Sequence, residues 1–163
     1  MATYLLTWNP NRFAWDDLSD LVKECRQQGR AKDRHSTGNT KKIQPGDRLF
    51  LLRQSVEPRG ISGSGVASSV VFEDDHWDPV LAAAGNLALF VELLYDILVD
   101  PATEPGAVLP MDALETGFLE KTNWATQSSG IQIEDKAADQ LERLWSEAAT
   151  ITPPNLTSFT YYL

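Results

Sequence analysis

The sequence predicts an α+β domain in which a twisted, barrel-like sheet of about five to six strands is flanked by helices. Apolar runs of strand length bounded by Pro, Gly and Asn recur along the chain. Only two long segments carry a helical period, and no repeat or low-complexity tract interrupts the 163 residues. That length fits a single domain over 1–163, large enough to bury a core without staples.

Residues 3–8 form a first β-rich run, stopped by Trp8-Asn9-Pro10-Asn11. Trp15, Leu18, Leu21, Val22 and Cys25 then fall at helical spacing, which predicts a helix over 15–28 capped by Gly29 and makes Trp15 a core anchor. The stretch 30–65 organises the chain. Its first part, through His35-Ser36-Thr37-Gly38-Asn39-Thr40-Lys41-Lys42, reads as a polar, basic loop able to grip an anionic partner. Pro45-Gly46-Asp47 is a turn signal, and strands are predicted near 47–54 and 60–71. Gly60, Gly63 and Gly65 inside the second strand signal a bulge or the close approach of another backbone.

An acidic segment, 72–79, follows and holds Trp77, an indole that either lies over the core or offers its face to a ligand. Leu89 to Val99 alternate, predicting a long strand over 87–99. A helical turn is expected at 110–115, a short strand near 130 and a strong helix over 134–149, with Ala137, Leu141, Leu144, Trp145 and Ala148 on one face. The tail, 150–163, reads as an edge strand or an interface through Phe159 to Leu163.

Composition narrows the function. One cysteine, Cys25, excludes an internal disulfide, and two distant histidines, His35 and His76, leave no recognisable metal site and imply no cofactor. The start lacks a secretory signal and no apolar run reaches about 20 residues, so a cytoplasmic protein without a membrane partner is expected. The formal charge of −9 argues against indiscriminate nucleic-acid binding. Its distribution is uneven. Residues 1–60 carry eleven Lys or Arg against seven Asp or Glu, whereas 61–163 carry three against sixteen, which fits either a merely solvated acidic half or a basic binding face on an acidic body.

No catalytic set is recognisable. Gly63-Ser64-Gly65 lacks the full pattern and the strand-to-helix setting of a nucleophile elbow, and no phosphate loop is present. Aromatic and small polar residues at strand ends, beside cations, instead suit a pocket that stacks a nucleobase and reads its edge.

The order Thr-Tyr-Leu-Leu-Thr-Trp-Asn-Pro at 3–10, His-Ser-Thr-Gly-Asn-Thr-Lys at 35–41, Pro-Gly-Asp-Arg-Leu-Phe-Leu-Leu-Arg-Gln at 45–54, Arg-Gly-Ile at 59–61, His-Trp at 76–77 and Gln-Ser-Ser-Gly-Ile at 127–131 resembles the EVE domain of the PUA-like superfamily. The resemblance extends to the specificity modules found beside HNH nucleases in modification-dependent restriction. It implies a PUA-like twisted β-barrel with a pocket for one flipped, modified base, as in the related YTH readers. His35, in Arg34-His35-Ser36-Thr37, stands where the YTH pattern has a Trp in Trp-Cys-Ser-Thr, so Trp8 is implied as a supplementary face; Trp77 matches the second wall. Asn9 and Ser36 would bond the base edge; Trp124 has no counterpart in the family pattern, and its nearness to the polar cluster at 124–130 makes it a reserve wall. Asn39, Lys41, Lys42, Arg53, Arg59, Gln127, Ser128 and Ser129 would meet the nucleic-acid backbone.

The function expected from this resemblance is non-catalytic recognition of DNA carrying a modified cytosine such as 5-methylcytosine, by base flipping. The partner is then double-stranded DNA, with a separate or fused nuclease doing any cutting. An RNA or modified-nucleoside binder and a protein-interaction domain docking through the tail are the alternatives.

Overall fold

A computed structural model describes residues 1–151; of the tail expected at 150–163 as an edge strand or interface, 150 and 151 end the last helix and the rest lies outside the described residues. The α+β expectation holds. Eight strands are present among the described residues: β1 (Thr3–Trp8), β2 (Ala31–Ser36), β3 (Arg48–Arg53), β4 (Gly60–Ala67), β5 (Phe72–Asp75), β6 (Leu87–Leu98), β7 (Leu109–Pro110) and β8 (Ile131–Ile133). They exceed the five to six expected because β2, β5 and β7 were not legible as strands.

The main path runs β2-β6-β4-β3-β1-β8, with β5 added to β6 and β7 to β4. Among the described residues no ladder joins β2 to β8, so the sheet they form is open rather than a closed barrel. Its two ends are nevertheless tied. Ser129 Oγ donates to the Ser36 carbonyl at 2.7 Å, and Thr40 Oγ1 donates to the Gly130 carbonyl at 2.7 Å.

Alternation along the strands separates two cores, because successive side chains point to opposite faces. Tyr4, Leu6 and Trp8 of β1 and Leu49 and Leu51 of β3 face α1 (Leu18–Gln28), which adds Leu18, Val22 and Cys25. Leu5, Phe50 and Leu52 face the other way, toward α3 (Asp135–Ile151), whose Ala137, Leu141 and Trp145 are buried against them. A short α2 (Pro79–Ala83) follows β5, its first turn bonded by Asp78, whose Oδ1 accepts the Val80 N–H at 2.9 Å.

The glycines of β4 mark close backbone approach. A Cβ on Gly60 would stand 1.9 Å from the Leu109 carbonyl oxygen of β7, and one on Gly65 2.5 Å from that of Leu94 in β6. Register shifts occur between Leu51 and Leu52 and between Ser64 and Gly65.

Two corrections concern the segments that frame the site. The stretch from Ala31 to Ser36 is not a loop: it pairs antiparallel with β6 from Ala31↔Tyr95 to Ser36↔Phe90. Nothing in Ala-Lys-Asp-Arg-His-Ser has strand propensity, so the long apolar β6 imposes the conformation on it. The first helix begins at Leu18, so Trp15 precedes it and only partly joins the core. Among the described residues, no helix is long and apolar enough to cross a membrane.

Candidate functional site

A cavity of about 520 Å³ opens where the C-terminal end of β1, the turn before α1, β2, the segment after β5 and the loop before β8 meet. That volume lies within the roughly 300–1,000 Å³ of small-ligand sites. It is built by two constraints. β1 runs parallel to β3 and antiparallel to β8, so the loop 127–130 must pass the end of β1, where Ser129 Oγ accepts the Thr7 N–H at 3.1 Å and Gly130 N–H donates to the Leu5 carbonyl. The loop after β2 locks against it. Gly38 and Gly130 both take positive φ, +62° and +87°, and a Cβ on either would collide with the other loop: 2.6 Å from the Ser129 oxygen and 2.4 Å from the Thr37 oxygen.

Aromatic rings line the cavity in two groups. Trp8 and Trp15 meet edge to face at 5.1 Å, and Trp15 lies 6.3 Å from His35 and 6.2 Å from Tyr95. Trp8 is oriented by its Nε1–H, which donates to the Phe13 carbonyl at 3.0 Å. Trp77 is packed against His76 at 4.9 Å and edge-on to Phe13 at 6.5 Å, with the Arg12 guanidinium 5.9 Å above its ring. Phe90 also lines the cavity, covered by Arg34 at 4.2 Å, which is itself paired with Asp74 at 2.6 Å.

The polar groups have defined states. His35 Nε2 donates to the Thr7 carbonyl at 2.8 Å, which leaves Nδ1 as an acceptor on a neutral ring. Burial pushes the His35 pKa below its ordinary value, against the opposing pull of the Thr7 carbonyl. Asn9 Oδ1 accepts the Asn11 N–H at 2.9 Å, so its amide hydrogens remain available. Ser36 Oγ accepts from the Gly38 N–H at 3.3 Å, leaving its hydroxyl hydrogen to donate. Burial raises the Asp33 carboxyl pKa; the Arg34 backbone N–H opposes it and the Asp17 charge adds to it.

Of the residues singled out from sequence, Trp8, Asn9, His35, Ser36, Trp77, Gln127, Ser128 and Ser129 all line this one cavity. Ser129 acts as a strap between strands, its hydroxyl hydrogen given to Ser36, and is buried. The others lie elsewhere. Trp124 does not reach the cavity: it is buried in the α3-side core with Nε1–H donated to the Leu119 carbonyl, because the 3-10 turns from Met111 to Lys121 carry it behind the sheet. Arg53 is only 8 % exposed, its guanidinium 5.1 Å over the Trp8 ring and its Nε–H donated to the Val56 carbonyl, so it supports Trp8 from beneath. Arg59 is paired with Glu57 at 2.6 Å away from the cavity. Asn39, Lys41 and Lys42 are exposed on the chain leaving Gly38 and do not line it.

Sequence reasoning missed Arg12, Phe13, Trp15, Asp33 and Phe90 as lining residues. The signal for Trp15 was its position immediately before an acidic first turn; its helical spacing with Leu18 and Val22 concealed it. Among the described residues, no three His, Cys, Asp or Glu side chains gather closely enough to hold a metal ion.

Comparison of the fold with solved structures gives several similar chains. A hypothetical protein from Leishmania major superposes with a TM-score of 0.63 at 15 % identity, covering 90 % of this chain and 96 % of its own. A protein from Pseudomonas syringae gives 0.61 at 17 % identity, over 88 % and 99 %. Human THYN1 in complex with DNA containing 5-methylcytosine gives 0.58 at 13 % identity, over 89 % and 98 %. The α+β fold, a mixed sheet with flanking helices, is shared with these structures. At these identities the likeness concerns the architecture alone. No protein-family model and no curated protein matches the chain.

Proposed function

We propose that this chain is a non-catalytic reader of DNA bearing a modified cytosine, which it holds as a flipped base between Trp77 on one side and Trp8, Trp15 and His35 on the other. One observation carries the reading: aromatic rings from four separated stretches of sequence surround a cavity that is open to solvent instead of being filled by aliphatic side chains. Support comes also from human THYN1, which shares the fold and is described in complex with 5-methylcytosine DNA.

Extruding a base costs a few kcal/mol. Stacking on aromatic faces returns roughly 1–3 kcal/mol per base, and the available donors of Asn9 and Ser36 with the acceptor of His35 add edge contacts. A methyl group on the base fills apolar space that an unmodified base leaves empty. Lys41, Lys42 and Arg12, all exposed, serve the phosphates, and exposed Gln127 and Ser128 serve the sugar-phosphate edge. Any cleavage then belongs to a nuclease partner, the association with modification-dependent restriction that the sequence resemblance implies.

The test is equilibrium binding to duplexes that differ only in one 5-methylcytosine, with wild type and Trp77→Ala. Wild type is expected to favour the modified duplex, and Trp77→Ala to lose about tenfold or more of that affinity while unfolding at nearly the same temperature, since the ring is only partly buried. Equal affinity of wild type for both duplexes removes the assignment.

A further inference from the structure

We propose that Asp33 makes the cavity select a base with an exocyclic amino group at position 4 over its oxo counterpart, an inference that rests on the base-reading function above. Asp33 occupies the middle of β2 between Ala31 and His35 on the face turned toward Trp15, opposite Leu93 of β6, and it lines the cavity. Its carboxylate accepts the Arg34 backbone N–H, and among the described residues it makes no other side-chain hydrogen bond and no ion pair, which leaves an oxygen to accept from a ligand. Several other polar atoms of the cavity are already engaged. His35 Nε2 is held by Thr7, His76 Nδ1 accepts the Asp78 N–H at 2.9 Å, the Asn9 oxygen is taken by Asn11, and Gln54 donates to the Thr126 carbonyl at 2.7 Å.

One residue pair along the same face, the Tyr95 hydroxyl is buried with no hydrogen-bond partner, a second polar group this region leaves unspent. Asp17 and Asp75 line the cavity as well, so three carboxylates meet its contents; of the two arginines there, Arg34 is engaged by Asp74 and Arg12 lies over the Trp77 ring. On the β2 side, around Asp33, that arrangement favours N–H donors over oxo groups.

5-Methylcytosine and thymine test this chemistry well, because both carry the same methyl on the same ring and present similar faces to Trp77 and Trp8. They differ on the edge. An Asp oxygen accepts from the cytosine N4 amino group, whereas the thymine O4 brings an acceptor against an acceptor with no hydrogen between them. A buried polar group left facing the wrong edge is what allows a site to reject a close analogue.

The experiment measures affinity for three duplexes, carrying 5-methylcytosine, cytosine or thymine at one position opposite guanine, with wild type and Asp33→Asn. A mispaired thymine flips more easily, which biases the comparison against the expected result. Wild type is expected to bind the 5-methylcytosine duplex about tenfold or more tightly than the thymine duplex. Asp33→Asn, whose amide can donate to O4, should narrow that ratio to about threefold or less and keep the preference for 5-methylcytosine over cytosine. A wild-type ratio near one overturns the role of Asp33, with or without a folded variant, and so does a ratio unchanged in a folded Asp33→Asn. Equal binding of 5-methylcytosine and cytosine by wild type instead defeats the reading of the modification, and no binding to any duplex defeats both.

Discussion

His35 illustrates how one side chain joins stability to the proposed recognition. Its Nε2–H is spent on the Thr7 carbonyl, which fixes the ring beside Trp15, and burial favours the neutral imidazole. The folded-state pKa therefore lies below the unfolded one. As pH falls below about 6.5 the unfolded chain takes up the proton first, so stability is complete above that value and declines as pH falls toward the folded pKa. The unfolding midpoint should drop between pH 7 and pH 5, and His35→Gln should flatten part of that drop. Asp33, whose carboxyl pKa is raised, acts in the opposite sense, so the comparison of wild type with the histidine variant isolates His35. A pH profile identical in the two proteins would contradict the neutral, buried state.

At this scale the sequence was informative where a residue's neighbours were polar and aperiodic. Trp77, flanked by His76 and Asp78, stood apart from any core pattern and lies on the cavity wall. Trp15 and Trp124 failed for opposite reasons. Trp15 shares a helical spacing with real core residues yet precedes the helix, whereas Trp124 sits beside a polar loop in sequence and behind the sheet in space.

Two loops and one edge strand decide whether the cavity exists. The turn after β2 and the turn before β8 interlock through Gly38 and Gly130, each with a backbone where a side chain would need to be. Gly130→Ala places a Cβ 2.4 Å from the Thr37 oxygen at a φ of +87°, and should cost about 1–3 kcal/mol in urea unfolding. Because the same loop positions Ser128 and Gln127, binding to modified DNA should weaken even at temperatures where the variant is folded. Unchanged stability and binding would show that the interlock is dispensable.

The strands that carry their own signal, β1, β3, β4 and β6, were legible from apolar runs and turn residues, as was α3 from its buried stripe. β2 was not, because its conformation comes from its partner: Lys32 and Arg34 face out to Glu92 and Asp74, while Asp33 and His35 turn inward as polar groups that no hydrophobic pattern would place there. An edge strand with inward polar residues reads as a loop, and here it supplies the chemistry of the cavity.

Across the whole molecule, charge and architecture divide the labour. The basic N-terminal portion contributes β1, α1, β2 and β3, and its β1, the turn between β1 and α1, and β2 bring most of the cavity wall, while the acidic remainder supplies β6, most of the second core and α3. An acidic body keeps nonspecific attraction to duplex DNA small, which under the proposed function leaves affinity to what enters the cavity. The open sheet follows the same division. Among the described residues its ends are tied by the Ser36–Ser129 and Thr40–Gly130 hydrogen bonds, and the cavity lies at that meeting point. The chain alone suggested a barrel because strand count and turns do not reveal whether the last strand finds the first.

The most direct test is a crystal structure of the full chain with a duplex carrying a single 5-methylcytosine. The account predicts that base outside the helix, its ring between Trp77 and the Trp8, Trp15 and His35 wall. A 5-methylcytosine still stacked in the duplex, with the protein bound through another surface, would contradict it.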